Sequence, residues 1–403
     1  MQAQPVPTSN RLKADSFESP DFYLIDDLLT AEQKLVRSAM RDFVKREISP
    51  IIDDYAQRGE FPAHMLQKFA QIGAFGATIP TQYGGGGLDH ISSGLILQEI
   101  ERGDSGMRST VSVHNSLTMY PILTYGSDEQ KQRYLPRLAK GELIGCFGLT
   151  EANYGSNPGG MQTNFIERSD YYLLNGSKLW ITNGPIADLA VVWAKNEQGK
   201  IKGLLLEKGM DGFTTNEIER KWSLRASRTG ELVFQDVKVP KNQMLPDASG
   251  LKAPLDCLDQ ARYGIAWGAV GAAMDCYETA LKYAKERIQF DKPIAGFQLV
   301  QKKLAEMLTD ITKAQLVCWR LGTLKNGGSA TTAQISMAKR DNVAMALRVA
   351  RECRQILGGM GIVGDYPIMR HMMNLESVVT YEGTHDIHLL IMGAEITGMS
   401  AFK

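Results

Sequence analysis

The segment Tyr381-Glu382-Gly383-Thr384-His385-Asp386 sets a carboxylate between an aromatic ring and a glycine, directly after the apolar and small stretch Leu375 to Thr380. Burial disfavours the charged form of a carboxylate. A Glu382 held in such a place would have its pKa raised from about 4.3 towards neutrality, where a general base works best. Gly383 would let a substrate come close to the backbone. The same residues also fit a helix N-terminus, with Thr384 capping a helix that starts near His385 and Glu382 favouring the positive end of its dipole. On this segment alone, base and cap both stay open.

Other residues able to do chemistry each carry a plainer reading beside the chemical one. Within Glu101-Arg102-Gly103-Asp104-Ser105-Gly106-Met107-Arg108-Ser109, Asp104 and Arg108 stand four apart and fit a helical ion pair worth roughly a few tenths of a kcal/mol. Gly358-Gly359-Met360-Gly361 invites comparison with a dinucleotide-binding loop, but that loop needs a strand before it, and here a helical pattern runs into Gly358. These glycines are expected to end the helix and expose backbone N–H groups. His385 and His388 lack the further ligands that would complete a metal site. Arg287 reads as a solvated helix charge, Trp180 as a core aromatic, and Gly84 to Gly87 as a flexible loop.

The elements that must position these residues change character twice along the chain. Thr30-Ala31-Glu32-Gln33 is a capping-box pattern, and Leu35, Met40, Phe43 and Val44 then recur at roughly helical spacing up to Pro50. Further helices are predicted at about 63–73, 90–102 and 128–139. From about residue 144 the pattern turns to strands. Tyr171 to Leu174 and Leu179 to Thr182 around Asn175-Gly176 predict one hairpin, and Leu189 to Ala194 with Ile201 to Leu206 around Gly199 predict another. Beyond about 252 strand signals vanish, and helices are predicted over 257–287, 296–325, 332–357 and 384–397, which suggests a bundle. The order α, β, α excludes a doubly wound sheet. The division expected is a loose arm at 1–27, a helical domain at 28–143, a β domain at 144–251 and a helical bundle at 252–403.

Composition narrows the function classes. Among 403 residues, 45 Lys plus Arg balance 45 Asp plus Glu, so no summed field attracts nucleic acid or an anionic membrane. The five cysteines are odd in number with no CxxC, which points to reduced thiols rather than a disulfide scaffold. The first 20 residues lack an apolar core or Arg-rich amphipathicity, and the apolar run Tyr263 to Met274 is shorter than the ~20 residues a bilayer crossing requires. A soluble, cytoplasmic protein is expected, or a matrix protein if the chain is a processed mitochondrial form.

Two long patterns then carry a resemblance. Gly148-Leu149-Thr150-Glu151-Ala152-Asn153-Tyr154-Gly155-Ser156-Asn157, and Gln355 through Gly358-Gly359-Met360-Gly361 with Asp365, Arg370 and Asn374, resemble the two signatures of the acyl-CoA dehydrogenase family. Leu179-Trp180-Ile181-Thr182-Asn183, Arg287-Ile288-Gln289-Phe290 with Gln298, and Ala261-Arg262-Tyr263-Gly264 support it. Similarity runs from about Leu28 to Phe402, and within the family it is greatest to the glutaryl-CoA dehydrogenases. The resemblance implies an N-terminal α-helical domain, a middle β-barrel and a C-terminal four-helix bundle, usually a homotetramer, with an electron-transfer flavoprotein as electron acceptor.

It also implies FAD. By resemblance Phe147, Leu149, Thr150 and Ser156 line one side of the flavin and diphosphate, and Trp180 and Thr182 cover the ring. Arg287 meets the diphosphate of a neighbouring subunit's cofactor, with Phe290 and Gln298 near the adenine and Gln355, Leu357, Gly358 and Gly359 offering backbone contacts. Thr384 and Phe402 complete the set. Glu382 matches the family base, with Gly383 beside it. Arg108 and Ser109 match the residues that bind the distal carboxylate of glutaryl-CoA, with Glu101 and Tyr381 completing a polar network. Ser156, Leu255, Leu258, Asp259 and Arg262 match contacts to the CoA end of the substrate. The chain departs from the pattern at Tyr154, Asn157, Asp291 and Ala394-Glu395. A short-chain acyl-CoA dehydrogenase or an acyl-CoA oxidase, in which Arg108 is structural, is the alternative activity. A flavin-free scaffold is the third reading, should Asp291 and Asn157 defeat cofactor binding.

Overall fold

The computed structural model describes residues 19–401. The first 18 positions of the expected arm and Phe402 lie outside them, but Ile25–Leu28 forms a short 3-10 helix that buries Ile25, so this part of the arm is anchored. Helix α1 (Ala31–Phe43) opens on the predicted capping box, in which the Thr30 hydroxyl accepts from the Gln33 N–H at 3.2 Å and the Gln33 side chain accepts from the Thr30 N–H at 3.0 Å. There follow α2 (Ile52–Arg58), α3 (Met65–Gln71), α4 (His90–Gly103), α5 (Ser105–Ser112), α6 (Tyr120–Tyr125) and α7 (Asp128–Ala139). Ser127 caps α7 with Gln130 as its reciprocal partner. The sequence reading has no helix over 105–125, because α5 is buried on every face and shows no amphipathic alternation.

Seven strands then form one curled sheet: β1 (Gly145–Gly148), β2 (Asn164–Glu167), β3 (Tyr171–Thr182), β4 (Leu189–Lys195), β5 (Ile201–Glu207), β6 (Phe213–Glu217) and β7 (Thr229–Pro240). The order is β1-β4-β2-β3-β7-β6, with β5 on β4. The β4–β5 hairpin around Gly199 is as predicted. The hairpin expected at Asn175-Gly176 is instead a bulge within the single strand β3, where the register to β7 slips between Leu174 and Gly176. Pairing with β2 and β7 holds the strand straight through the turn dipeptide. The Asn175 amide bonds the Asp236 carboxylate at 2.9 Å, and Gly176, at φ +136°, lies where a Cβ would come within 2.6 Å of Thr163 Oγ1.

The last third holds α8 (Lys252–Glu286), a short hairpin of β8 (Ile288–Gln289) and β9 (Lys292–Pro293), α9 (Gln298–Asn326), α10 (Thr332–Leu357), α11 (Ile368–Thr380) and α12 (His385–Thr397). The hairpin corrects the expectation of no strands after 252. Helix α11 is a fifth helix beyond the four predicted, obscured by the β-branched run Val378-Val379-Thr380 although its buried Ile368, His371, Leu375 and Val378 keep helical spacing. Helix α8 is the central element, buried nearly all round from Ala261 to Met274. Its Gly264, Gly268 and Gly271 form a stripe facing α4. A Cβ at Gly264 would stand 2.5 Å from Leu97 Cδ1, and one at Gly268 or Gly271 would overlap the Glu101 carboxylate or the Gln98 carbonyl. The stripe brings α4 against α8 and leaves Glu101 room to act. All five cysteines are buried free thiols, and no helix among the described residues is long and apolar enough to cross a membrane.

Candidate active site

Glu382 stands in the turn between α11 and α12. Thr384 caps α12, its hydroxyl accepting from the Ile387 N–H at 3.2 Å, so the cap and the carboxylate are separate features. Glu382 Oε2 has no solvent contact and no hydrogen-bond partner among the described residues. Burial raises its pKa against the opposing pull of Arg108, Lys339 and Arg262. The backbone is unusual here: Glu382 has φ +54° and Gly383 φ +95°. A left-handed non-glycine residue costs roughly 1–2 kcal/mol, so something must hold it. Lys339 on α10 donates to the carbonyls of Tyr381 (3.0 Å) and Gly383 (2.8 Å), and Arg262 Nε on α8 donates to the Glu382 carbonyl at 2.9 Å. Gly383 is needed, since a Cβ there would come within 2.9 Å of His388 Nε2.

Arg108 lies fully buried on α5. Its partner is not Asp104. That side chain caps α5 through the Gly106 (2.7 Å) and Met107 (3.2 Å) N–H groups and is held by Arg370 and Asn374 at 3.1 and 2.7 Å. Arg108 Nε instead meets Glu101 Oε2 on α4 at 2.5 Å, one terminal nitrogen donates to the Tyr381 hydroxyl, and the other, Nη1, is buried without a partner among the described residues. Glu101 Oε1 is likewise unpaired. Burial would discharge the guanidinium, but Glu101, Tyr381 and Glu382 together outweigh it and hold its pKa above the ordinary value. Ser109 is buried next to it. The structure thus brings Glu101, Arg108, Tyr381 and Glu382 into one polar cluster with an unfilled donor.

A second group gathers where β1 and β3 end. Phe147 and Leu149 are buried, and the Leu179 N–H bonds the Thr150 carbonyl at 2.9 Å, tying Thr150 to β3. Lys178, fully buried, donates to the Leu149 carbonyl (3.1 Å) and to Glu151 (2.8 Å), which also accepts the Gln162 and Thr163 N–H groups. Trp180 is not the core aromatic of the plain reading: it sits at φ +64° in a register slip, 60% exposed, with no ring partner among the described residues. Thr182 follows on the same strand. Asn183 then donates to the carbonyls of Thr110 and Gly145 at 3.2 Å each, joining this group to the helix that carries Arg108.

The remaining predicted residues lie on other surfaces. Arg287 and the turn residues Phe290 and Asp291 belong to the β8–β9 hairpin, whose two-residue turn has φ +51° and +61° and leaves Phe290 88% exposed. Gln298 begins α9, and Gln355 bonds Lys303 near the end of α10. Helix α10 ends at Leu357, and Gly358 (φ +59°) and Gly359 have open space where a Cβ would stand, the helix-ending turn read from the sequence. Leu255, Leu258 and Asp259 lie near the start of α8, where Asp259 pairs with Arg262 at 2.9 Å and accepts from Thr332 at 2.5 Å. Ser156 and Asn157 are in an exposed loop, and Tyr154 packs on Gly160.

Sequence reasoning missed Lys339, Gly268 and the role of His388. Lys339 stands four residues from both Ile335 and Val343, on the apolar face of α10, which was the available signal. His388 is buried with both ring nitrogens unpartnered among the described residues, and burial pushes its pKa down to about 3; it packs against Gly383.

Three family models match in chain order: acyl-CoA dehydrogenase, N-terminal domain over 30–142, middle domain over 146–237 and C-terminal domain over 248–397. An acyl-CoA dehydrogenase of Bacillus subtilis is 38% identical over 92% of this chain and 99% of its own length. A short-chain-specific acyl-CoA dehydrogenase of Clostridium acetobutylicum is 36% identical over 92% of this chain and 100% of its own. The crystal structure of a glutaryl-CoA dehydrogenase from Mycobacterium smegmatis in complex with FADH2 superposes with a TM-score of 0.92 at 46% identity, covering 94% of this chain and 97% of that one.

Proposed function

The chain belongs to the acyl-CoA dehydrogenase family, and from the pocket it builds we propose that it oxidatively decarboxylates glutaryl-CoA to crotonyl-CoA and CO2. The cofactor is FAD. The surface fits it: an unstacked, outward-turned Trp180 indole suits a planar ring, and Gly358 and Gly359 have open space at their Cβ positions through which a phosphate can approach the backbone, although the Gly358 N–H itself bonds the Gln355 carbonyl. When bound, FAD supplies the two-electron acceptor for the β-hydride.

The chain's own residues then have distinct tasks. Glu382, its pKa raised by burial, removes the α-proton of the thioester. Its N–H, which makes no hydrogen bond among the described residues, is available to the carbonyl oxygen that gains charge. Arg108 holds the distal carboxylate through the free Nη1, beside Ser109. After dehydrogenation the bond between the γ-carbon and that carboxylate breaks, CO2 leaves, and Glu382, now an acid, returns a proton to the γ-carbon.

The observation that carries the substrate assignment is the unpartnered Nη1 of a fully buried guanidinium, since an aliphatic acyl chain gives such a donor nothing to bind. A short-chain dehydrogenase is the second reading, favoured by the Glu101 carboxylate that already neutralises Arg108. Product analysis decides. The FAD-loaded protein with glutaryl-CoA and an artificial electron acceptor is expected to release crotonyl-CoA and CO2; glutaconyl-CoA alone would remove the decarboxylation, and turnover only of butyryl-CoA would leave the second reading. We propose further that an electron-transfer flavoprotein takes the electrons and that the protein assembles as a homotetramer, in which the exposed Phe290 hairpin meets a neighbouring copy.

A further inference from the structure

We infer that Lys339 is a positioning residue for the reaction at Glu382, fixing the backbone on both sides of the base. The inference rests on the reading of Glu382 as that base. Lys339 projects from α10 between Ile335 and Val343 and is fully buried. A buried ammonium is costly unless it is bonded. Its bonds go to the carbonyls of Tyr381 and Gly383, one on each side of Glu382, while Arg262 takes the carbonyl between them. Three successive carbonyls are therefore turned towards two buried cations. That arrangement demands the left-handed backbone at Glu382 and Gly383, which a glutamate does not favour by itself. With its carbonyl committed to Arg262, Glu382 keeps a carboxylate oxygen, Oε2, and its N–H without a partner among the described residues.

An apolar residue in place of Lys339 would leave two carbonyls without donors and release the turn. It would also remove one of the three cations, with Arg108 and Arg262, that oppose the burial of the Glu382 carboxylate. The groups facing Lys339 are Glu382, Arg262 and Arg108, and His385 and His388 stand on α12 beside it. Burial pushes the Lys339 pKa down to about 7, so its charge changes within the pH range in which the base operates.

The test is rapid-mixing flavin reduction from pH 5.5 to 9, in FAD-loaded wild type, Lys339→Met, Lys339→Gln and Glu382→Gln, using whichever of glutaryl-CoA and butyryl-CoA the wild type reduces faster. Lys339→Met is expected to keep FAD and bind acyl-CoA within about threefold. Its maximal reduction should fall by ~10²-fold, with the acidic limb moved to higher pH by about one unit. Lys339→Gln retains a neutral donor. It should fall by only about tenfold and show the same shifted limb, and it carries the test should Lys339→Met not fold. A purely structural Lys339 would lower melting temperature or FAD content and leave the limb in place, which overturns the inference, as does a wild-type rate in both Lys339 variants. Unimpaired reduction by Glu382→Gln would instead overturn the base reading itself.

Discussion

The pocket around Glu382 and Arg108 and the surface around Trp180, Gly358 and Phe290 are built in opposite ways. In the pocket the charged side chains are locked onto partners from other elements, Arg108 to Glu101 and Tyr381, Lys339 and Arg262 to the base loop, Asp104 to the α5 cap and Arg370, and the atoms left without a partner among the described residues, Arg108 Nη1, Glu101 Oε1 and Glu382 Oε2, are themselves buried. On the surface an indole, a phenyl ring and a glycine turn stand open, all three at positive φ. The difference separates what the chain organises by itself from what it offers to others. Substitutions in the pocket should change chemistry and folding; those on the surface should change FAD affinity and assembly.

The largest expected effect lies at Glu382. Glu382→Gln should retain FAD and lose at least about two orders of magnitude in flavin reduction, measured by rapid mixing. Folding moves the other way. A carboxylate whose folded pKa is raised contributes stability that is complete below its unfolded pKa and is lost as pH rises through the folded value. The glutamine variant should therefore melt above wild type at pH 7 to 8, with the gap closing towards pH 4. An equal gap at both ends would mean that the carboxylate is not buried uncharged at low pH.

Gly268→Ala probes the committed side by packing alone. Its Cβ would overlap the Glu101 carboxylate and lie 3.1 Å from Arg108 Nε, so α4 must move away from α8. A loss of ~1–3 kcal/mol in chemical denaturation is expected, with glutaryl-CoA binding weakened more than FAD binding. Wild-type stability would show that the two helices have slack. The smallest effect is on the open side. Asp291 takes the second position of a two-residue hairpin turn at φ +61°, where glycine carries no steric penalty. Asp291→Gly should raise stability by up to about 1 kcal/mol and leave flavin reduction unchanged; a destabilised variant would mean that the Asp291 carboxylate has a partner in the assembled protein.

The sequence carried the α, β, α order, the Thr30 capping box, the Gly199 hairpin and the glycine turn after Leu357, because each depends on local chemistry. It misled at Asn175-Gly176, where two neighbouring strands override a turn dipeptide, and at 105–112, where burial on all faces erases periodicity. Glu382 and Arg108 were legible as residues, but their setting was not. Asp104, four residues before Arg108, looked like its partner until Arg370, 266 positions away, claimed it. Lys339 was marked only by its place on the apolar face of α10, because its partners are backbone carbonyls, which no side-chain pattern records.

The most direct measurement of the central claim is substrate discrimination with the guanidinium present and absent. Arg108→Ala alone would leave Glu101 as an unpaired buried charge, costing ~3–5 kcal/mol, so the informative variant is Glu101→Gln with Arg108→Met. Efficiency of flavin reduction by glutaryl-CoA and by butyryl-CoA is measured for wild type and this variant. Wild type is expected to favour glutaryl-CoA, and the double variant to lose about 10²-fold with glutaryl-CoA while changing little with butyryl-CoA. A wild type that prefers butyryl-CoA, or an equal decline with both substrates, would contradict the central claim.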